Sequence, residues 1–167
     1  MESLLSKRLY QFPQKAKFLC FIAVFNLTIG VSVGLYYVYY STQISMEGTS
    51  EHFRGSVIDD EFSIPEKYPK PISELLNTTH NHILSMTFIF LIMGGIFYFN
   101  STITGFFKAF LIIEPFISIL TTFGGIWLVR FIHPSFSYLI MASGALMYLS
   151  FFIMAIISIY EIVIKNT

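Results

Sequence analysis

Apolar residues in this chain fall into four long runs, separated by three connections of unequal length. "FLCFIAVFNLTIGVSVGLYYVYY" fills residues 18–40, and further runs cover about 80–99, 106–129 and 135–163. At 1.5 Å per residue, about 20 apolar residues cross the roughly 30 Å hydrocarbon core of a bilayer. Backbone groups in lipid must be bonded within their own element, so each run predicts a helix rather than a strand. The pattern predicts an all-α fold: an integral membrane four-helix bundle, up-down-up-down, with residues 1–167 forming a single transmembrane domain. Helices one, three and four are expected at about 18–40, 106–129 and 135–163. Helix two is expected over 73–99, because Ser73 can cap a helix that runs straight into its apolar stretch.

"NSTITG" (100–105) and "FIHPS" (131–135) read as tight turns, with Pro134 suited to the first turn of helix four. The loop from 41 to 72 is far longer than a connection requires, a length that often carries function. Between 41 and 79 seven acids (Glu47, Glu51, Asp59, Asp60, Glu61, Glu66, Glu74) oppose Arg54, Lys67 and Lys70. Lys7, Arg8, Lys15 and Lys17 precede helix one and predict a cytoplasmic N-terminus. Four crossings return the C-terminus, with Lys165, to the same side; Lys108 fits the inner turn. Tyr36, Tyr37, Tyr39 and Tyr40 then form an aromatic belt at the outer end of helix one. Helix one is too long for a secretory signal and lacks a small-x-small cleavage site, so it reads as a true span.

With 54% apolar and only 12% charged residues, the chain is not an ordinary soluble domain. Zero net charge leaves no nucleic-acid-binding footprint. The single cysteine, Cys20, excludes an intramolecular disulfide and a cysteine-based metal cluster. No phosphate loop, nucleophile with base, or CxxC is present, so no catalytic residue is assigned. The expected partners are the lipid bilayer and either other membrane subunits or further copies of the chain.

Lipid gives no hydrophobic drive between helices, so small and polar residues mark the faces expected to pack. These are Asn26, Gly30, Gly34 and Tyr37 in helix one, and Ser73, Asn77, His80, Thr87 and Gly94 in helix two. Helix three offers Glu114, Ser118, Thr121 and Gly125; helix four offers "MASGA" (141–145). Glu114 lies about 9 Å past Lys108 along the helix and needs an interior position or a partner. Asn26, at a similar depth, is the expected partner of a buried polar pair. A proton relay or ligand site and a plain hydrogen-bonded pair both fit Glu114. Pro115 beside it is expected to kink the helix.

All four histidines fall on the outer side of this topology. His52 is in the loop, His80 and His82 open helix two, and His133 is in the turn after helix three. Residues i and i+2 point about 200° apart on a helix, so His80 and His82 cannot jointly face one ion. His80, on the polar stripe, is expected to look into the bundle, and His82 toward lipid or the overlying loop. A cofactor would therefore use His80 or His82 with His133 or His52; a metal site would draw on His80, His133 and Met86. Haem b is the leading cofactor, with copper or zinc behind it; His82 and Met86, at i and i+4, suit Cu(I) through the soft thioether. A plain interfacial anchor and a pH-sensing role also fit the histidine pair.

"THNHILSMTFIFLIMGG" resembles the His-x-His helix opening in short membrane relatives of the haem-copper oxidase catalytic subunit. His80, Asn81, His82 and the apolar run match, Met86 stands where a glycine is expected, and the later tryptophan is absent. Taken whole, with "EHFRGS", "PKPISELLNTTHNH" and "FGGIWLVRFIHPSFSYLIMASGALM", the chain resembles small four-helix bacterial membrane proteins of no assigned activity. The resemblances imply the bacterial inner membrane and are compatible with haem, and the one-sided clustering of the histidines points to a haem- or metal-binding redox or sensory role. An accessory or assembly subunit of a larger membrane complex and a small proton pathway through Glu114 are the competing readings.

Overall fold

Proline and glycine set where most of the helices begin and end. The computed structural model describes residues 7–57 and 64–165. Helix α1 (Gln14–Thr42) starts directly after Pro13, preceded by a 3-10 turn at Leu9–Gln11. It ends where Gln43 and Ile44 both take left-handed backbone angles, φ 53° and 47°. Neither is glycine, so this joint is strained. Helix α2 (Met46–Arg54) is capped by Ser45, whose hydroxyl accepts from the Gly48 amide at 2.9 Å, and Glu47 complements the helix dipole. Gly55 ends it at φ 90°, where a Cβ would lie 2.9 Å from Pro69. Helix α3 (Ile72–Tyr98) follows Pro71, α4 is Gly105–Phe131, and α5 (Ser137–Val163) follows a 3-10 turn at Pro134–Phe136.

Helices α1, α3, α4 and α5 are long and apolar enough to cross a membrane. At 27 residues, α3, α4 and α5 each extend about 40 Å. The described residues are all-helical, and the four-helix membrane bundle expected from the sequence is the fold. The long loop is not structureless: α2 lies within it. Its apolar face places Met46, Thr49 and Phe53 at helical spacing, and Thr49 is buried. Arg54 donates to the Val129 carbonyl at 3.3 Å, and Arg130 to that of Lys70 at 3.2 Å. The Lys70 amide bonds the Phe53 carbonyl at 3.1 Å. Two arginines thus tie α2 and the segment after it to the end of α4. The loop acids Asp59, Asp60 and Glu61 lie outside the described residues.

The core sits among α3, α4 and α5, where Phe90, Met93, Phe97, Leu111, Ile119, Phe151 and Met154 are almost fully buried. Phe90 and Phe151 meet edge to face, their centroids 6.0 Å apart. Helices α4 and α5 approach closely because Gly125 faces Ile140; a Cβ there would lie 2.8 Å from the isoleucine side chain. Helix α1 contributes little, burying only Val24, Val31 and Thr42.

The small and polar stripes of α4 and α5 face inward in part: Glu114, Ser118, Gly125 and Ser143 are buried, whereas Thr121 is not, Thr122 taking the inward place, and Ala142 and Ala145 are exposed. Those of α1 and α3 differ. Asn26 and Gly30 are exposed, as are Ser73, Asn77 and His80, while Gly34 and the buried Gly94 face side chains of other helices. On α3 the inward face is set by bulk. Leu75, Phe90, Met93 and Phe97 are buried at spacings of three, four and seven, and this row turns the polar stripe outward.

At the end of the bundle away from α2, Glu161 is fully buried. Its carboxylate accepts from the Asn100 side chain at 2.5 Å and from the Ser101 amide and hydroxyl, each at 2.8 Å. Asn100 Oδ1 in turn accepts the amides of Thr102 and Ile103, both at 2.9 Å. Lys108 caps the Asn100 carbonyl at 2.6 Å. One carboxylate from the last helix thereby closes the α3–α4 turn.

Candidate functional site: a cavity beneath α2

Because α1 stands off from the α3–α4–α5 core, a cavity of about 670 Å³ lies between them, roofed by α2. That volume falls within the roughly 300–1,000 Å³ of small-molecule sites. Its polar groups are concentrated at the α2 end, where His52, Lys70, Glu74, Thr78 and His82 line it. Lys70 pairs with Glu74, so these two charges cancel within the site. The walls below are apolar, formed by Met86, Phe123, Ile126, Met147 and the α1 residues Val33 to Val38. Facing hydroxyls of Thr122 and Ser143, 2.7 Å apart, satisfy each other across α4 and α5.

The two histidines of the cavity are differently held. His52 lies edge-on to Phe53, with centroids 4.8 Å apart. Desolvation lowers its pKa below the usual 6.5; nearby Lys70 and Lys67 lower it further, against an opposing effect of Glu74. His82 packs on Phe123 at 5.0 Å, and its Nδ1 lies 2.9 Å from the Thr78 carbonyl. A carbonyl can only accept, so Nδ1 carries the proton. In the neutral ring the Nε2 lone pair is then free to accept a hydrogen bond or bind a metal.

The cavity brings together three of the residues expected from the sequence, His52, His82 and Met86, and excludes others. His80 does not look into the bundle as expected, whereas His82 faces the overlying α2 segment, one of the two directions expected for it. The helical row through Leu75, Thr79, His82, Met86, Phe90 and Met93 lets His82, itself exposed, line the cavity, while His80, 200° away and also exposed, does not. His133 is exposed and caps the 3-10 turn, its Nδ1 accepting from the Ser135 amide at 3.2 Å. The trio His80, His133 and Met86 is therefore not assembled around this cavity. Among the described residues, no three His, Cys, Asp or Glu side chains converge as a metal site.

The Glu114–Asn26 pair does not form either. Glu114 accepts from Ser118 one turn on and from Ser150 of α5 at 2.8 Å. Asn26 is exposed, because α1 turns that side away from the bundle. Sequence reasoning passed over Glu161, Tyr148 and α2. A capping serine before Met46, Thr49 and Phe53, with a glycine after Arg54, was the available signal for α2. Nothing local marked Glu161 as the partner of a turn some 60 residues earlier.

Four apolar spans, a buried polar seam and a capped cavity define a multi-pass membrane protein. Residues 43–167 match the Aq_1264_TM family, a transmembrane helical domain, and the chain belongs to that family. The match takes in α2 to α5 and leaves α1 outside; it carries no likeness to the haem-copper oxidases. No curated protein and no solved structure matches the chain.

Proposed function

We propose that this protein binds a small, mainly apolar ligand in the cavity beneath α2, at the outer leaflet of a bacterial inner membrane, with both termini cytoplasmic, in a redox or sensory role. The observation that carries this reading is that His52 and His82, from separate helices, line one cavity that is otherwise apolar. Few precisely placed polar groups in an apolar concavity are what fixes a ligand's orientation. The orientation rests on Lys7, Arg8, Lys15 and Lys17 before α1. Among cofactors, haem b agrees with the two rings: burial favours neutral His52, and the His82 Nδ1 is oriented by a carbonyl, as for metal-ligating histidines, which leaves Nε2 as the atom to bind. Purification in mild detergent with native mass spectrometry tests the proposal. A co-purifying small molecule lost in His82→Leu supports it, and an empty cavity protein unchanged by that substitution overturns it. A Soret band after haem supplementation, lost in the same variant, selects haem.

A second reading, an accessory subunit of a larger membrane complex, is favoured by Asn26. Its amide lies exposed within a span beside exposed Gly30 and has no hydrogen-bond partner among the described residues. An amide in hydrocarbon gains from a partner on another helix. Gentle solubilisation that yields a lone monomer, unaffected by Asn26→Leu, would remove this reading.

A further inference from the structure

The cavity extends well below the level of α2. Tyr148, at its deep end, lies about 16 Å along α5 from Ser137, which is deep in the hydrocarbon. At this level the side between α1 and α5 is built from Gly34, Gly144 and Ala145. A Cβ added at Gly144 would meet nothing within 4 Å, and one at Gly34 only the Tyr148 hydroxyl at 3.8 Å. Val33 and Tyr37, on the same stretch of α1, are 63% and 60% exposed. No side chain fills the space beside Gly144, so beneath the α2 roof the cavity opens sideways toward lipid. Two further facts bear on what enters. The Tyr148 hydroxyl makes no hydrogen bond among the described residues and is free to meet a polar atom. The charged groups of the upper end, Lys70 and Glu74, neutralise each other.

Resting on the cavity reading above, we infer that the ligand is a bilayer-borne amphiphile with an uncharged or zwitterionic head. It enters sideways between α1 and α5, with its head beneath α2 and its tail in the slit beside Gly34 and Gly144. A water-borne ligand would have no use for an opening at this depth. An anionic head would find only the mutually paired Lys70 and Glu74 as charged lining groups, the Arg54 and Arg130 side chains being turned to backbone carbonyls.

Photolabelling in phosphatidylcholine nanodiscs tests this with two probes, a diazirine-bearing monoacylglycerol with a long tail and its butyl-chain analogue. Both are expected to label Val33–Val38 and Gly144–Tyr148. Gly144→Trp, whose side chain has open space to fill, is expected to reduce long-tail labelling several-fold and leave the short probe unchanged. Retained short-probe labelling also shows that the variant is folded. If both probes label the cavity and neither is affected by Gly144→Trp, side entry is overturned while the cavity reading stands. If neither probe labels the wild type, the cavity reading itself falls. Should Gly144→Trp lose both probes, Gly34→Leu on the opposite lip decides by the same comparison. A phosphate-headed analogue is expected to label several-fold less; equal labelling overturns the assignment of the head.

Discussion

Ser150 of α5 donates to the Glu114 carboxyl of α4 at 2.8 Å, so the most polar group in the middle of the bundle is satisfied across the tightest helix pair. Interhelical hydrogen bonds of this kind contribute about 0.6 kcal/mol in membranes, and up to about 1.7. Ser150→Ala is therefore expected to destabilise the protein by an amount in that range, measured by thermal unfolding in detergent. Asn26→Leu, by contrast, is expected to leave the isolated subunit unchanged. An equal loss in both variants would contradict the geometry.

Gly125 and Gly124 are neighbours with opposite surroundings. A Cβ at Gly125 collides with Ile140, whereas one at Gly124 meets nothing within 4 Å. Gly125→Val is expected to cost about 1–3 kcal/mol through overpacking. Gly124→Ala is expected to be neutral or slightly stabilising, as a glycine replaced in a helix. Paired melting curves give the comparison, and matching shifts for the two would refute it.

His52 makes the α2 roof sensitive to acid. Its pKa is lowered on folding, so the unfolded chain binds the proton more readily, and stability rises with pH across the interval between the two values. The contribution is fully present above the ordinary histidine value near 6.5 and is lost as pH falls through the lower folded value. Protection factors against hydrogen exchange across Met46–Arg54 are expected to fall on acidification, and His52→Asn to flatten that dependence. Exchange that is insensitive to pH beyond its intrinsic chemistry would count against the assignment.

Trp127 is the only tryptophan, and its indole donates to Thr79 of α3 at 2.9 Å. Removing that acceptor with Thr79→Val leaves the indole N–H unsatisfied, at a cost of about 1–3 kcal/mol where it is buried and less where water or headgroups reach it. Intrinsic fluorescence reports directly on the same contact. A changed emission maximum with a lowered melting point is the expected outcome; an unaltered spectrum would show that the bond is not maintained.

The spans were legible because lipid imposes one rule on every backbone group, and the four apolar runs obey it. The inward faces of α4 and α5 were legible for a related reason: Glu114, Ser118 and Gly125 cannot face hydrocarbon cheaply. The rule failed on α3, where the large residues Phe90, Met93 and Phe97 determine what is buried and leave His80 exposed and away from the cavity that His82 lines. It failed on α1 because that helix barely packs, leaving Asn26 outward. The candidate site was half legible. One-sided clustering of the histidines pointed to the end of the bundle where His52 and His82 line the cavity, but the cavity depends on how far α1 stands from its neighbours. That distance is a tertiary property with no signature in local spacing.

The Glu161 clamp has a consequence for biogenesis. The α3–α4 hairpin leaves the ribosome well before α5, yet the amide of Ser101 and the side chain of Asn100 in its turn find their acceptor only on the final span. Maturation must therefore finish from the C-terminal end. Chains truncated ahead of residue 161 would insert as hairpins with an open elbow, exposed to quality-control proteases until the last helix arrives.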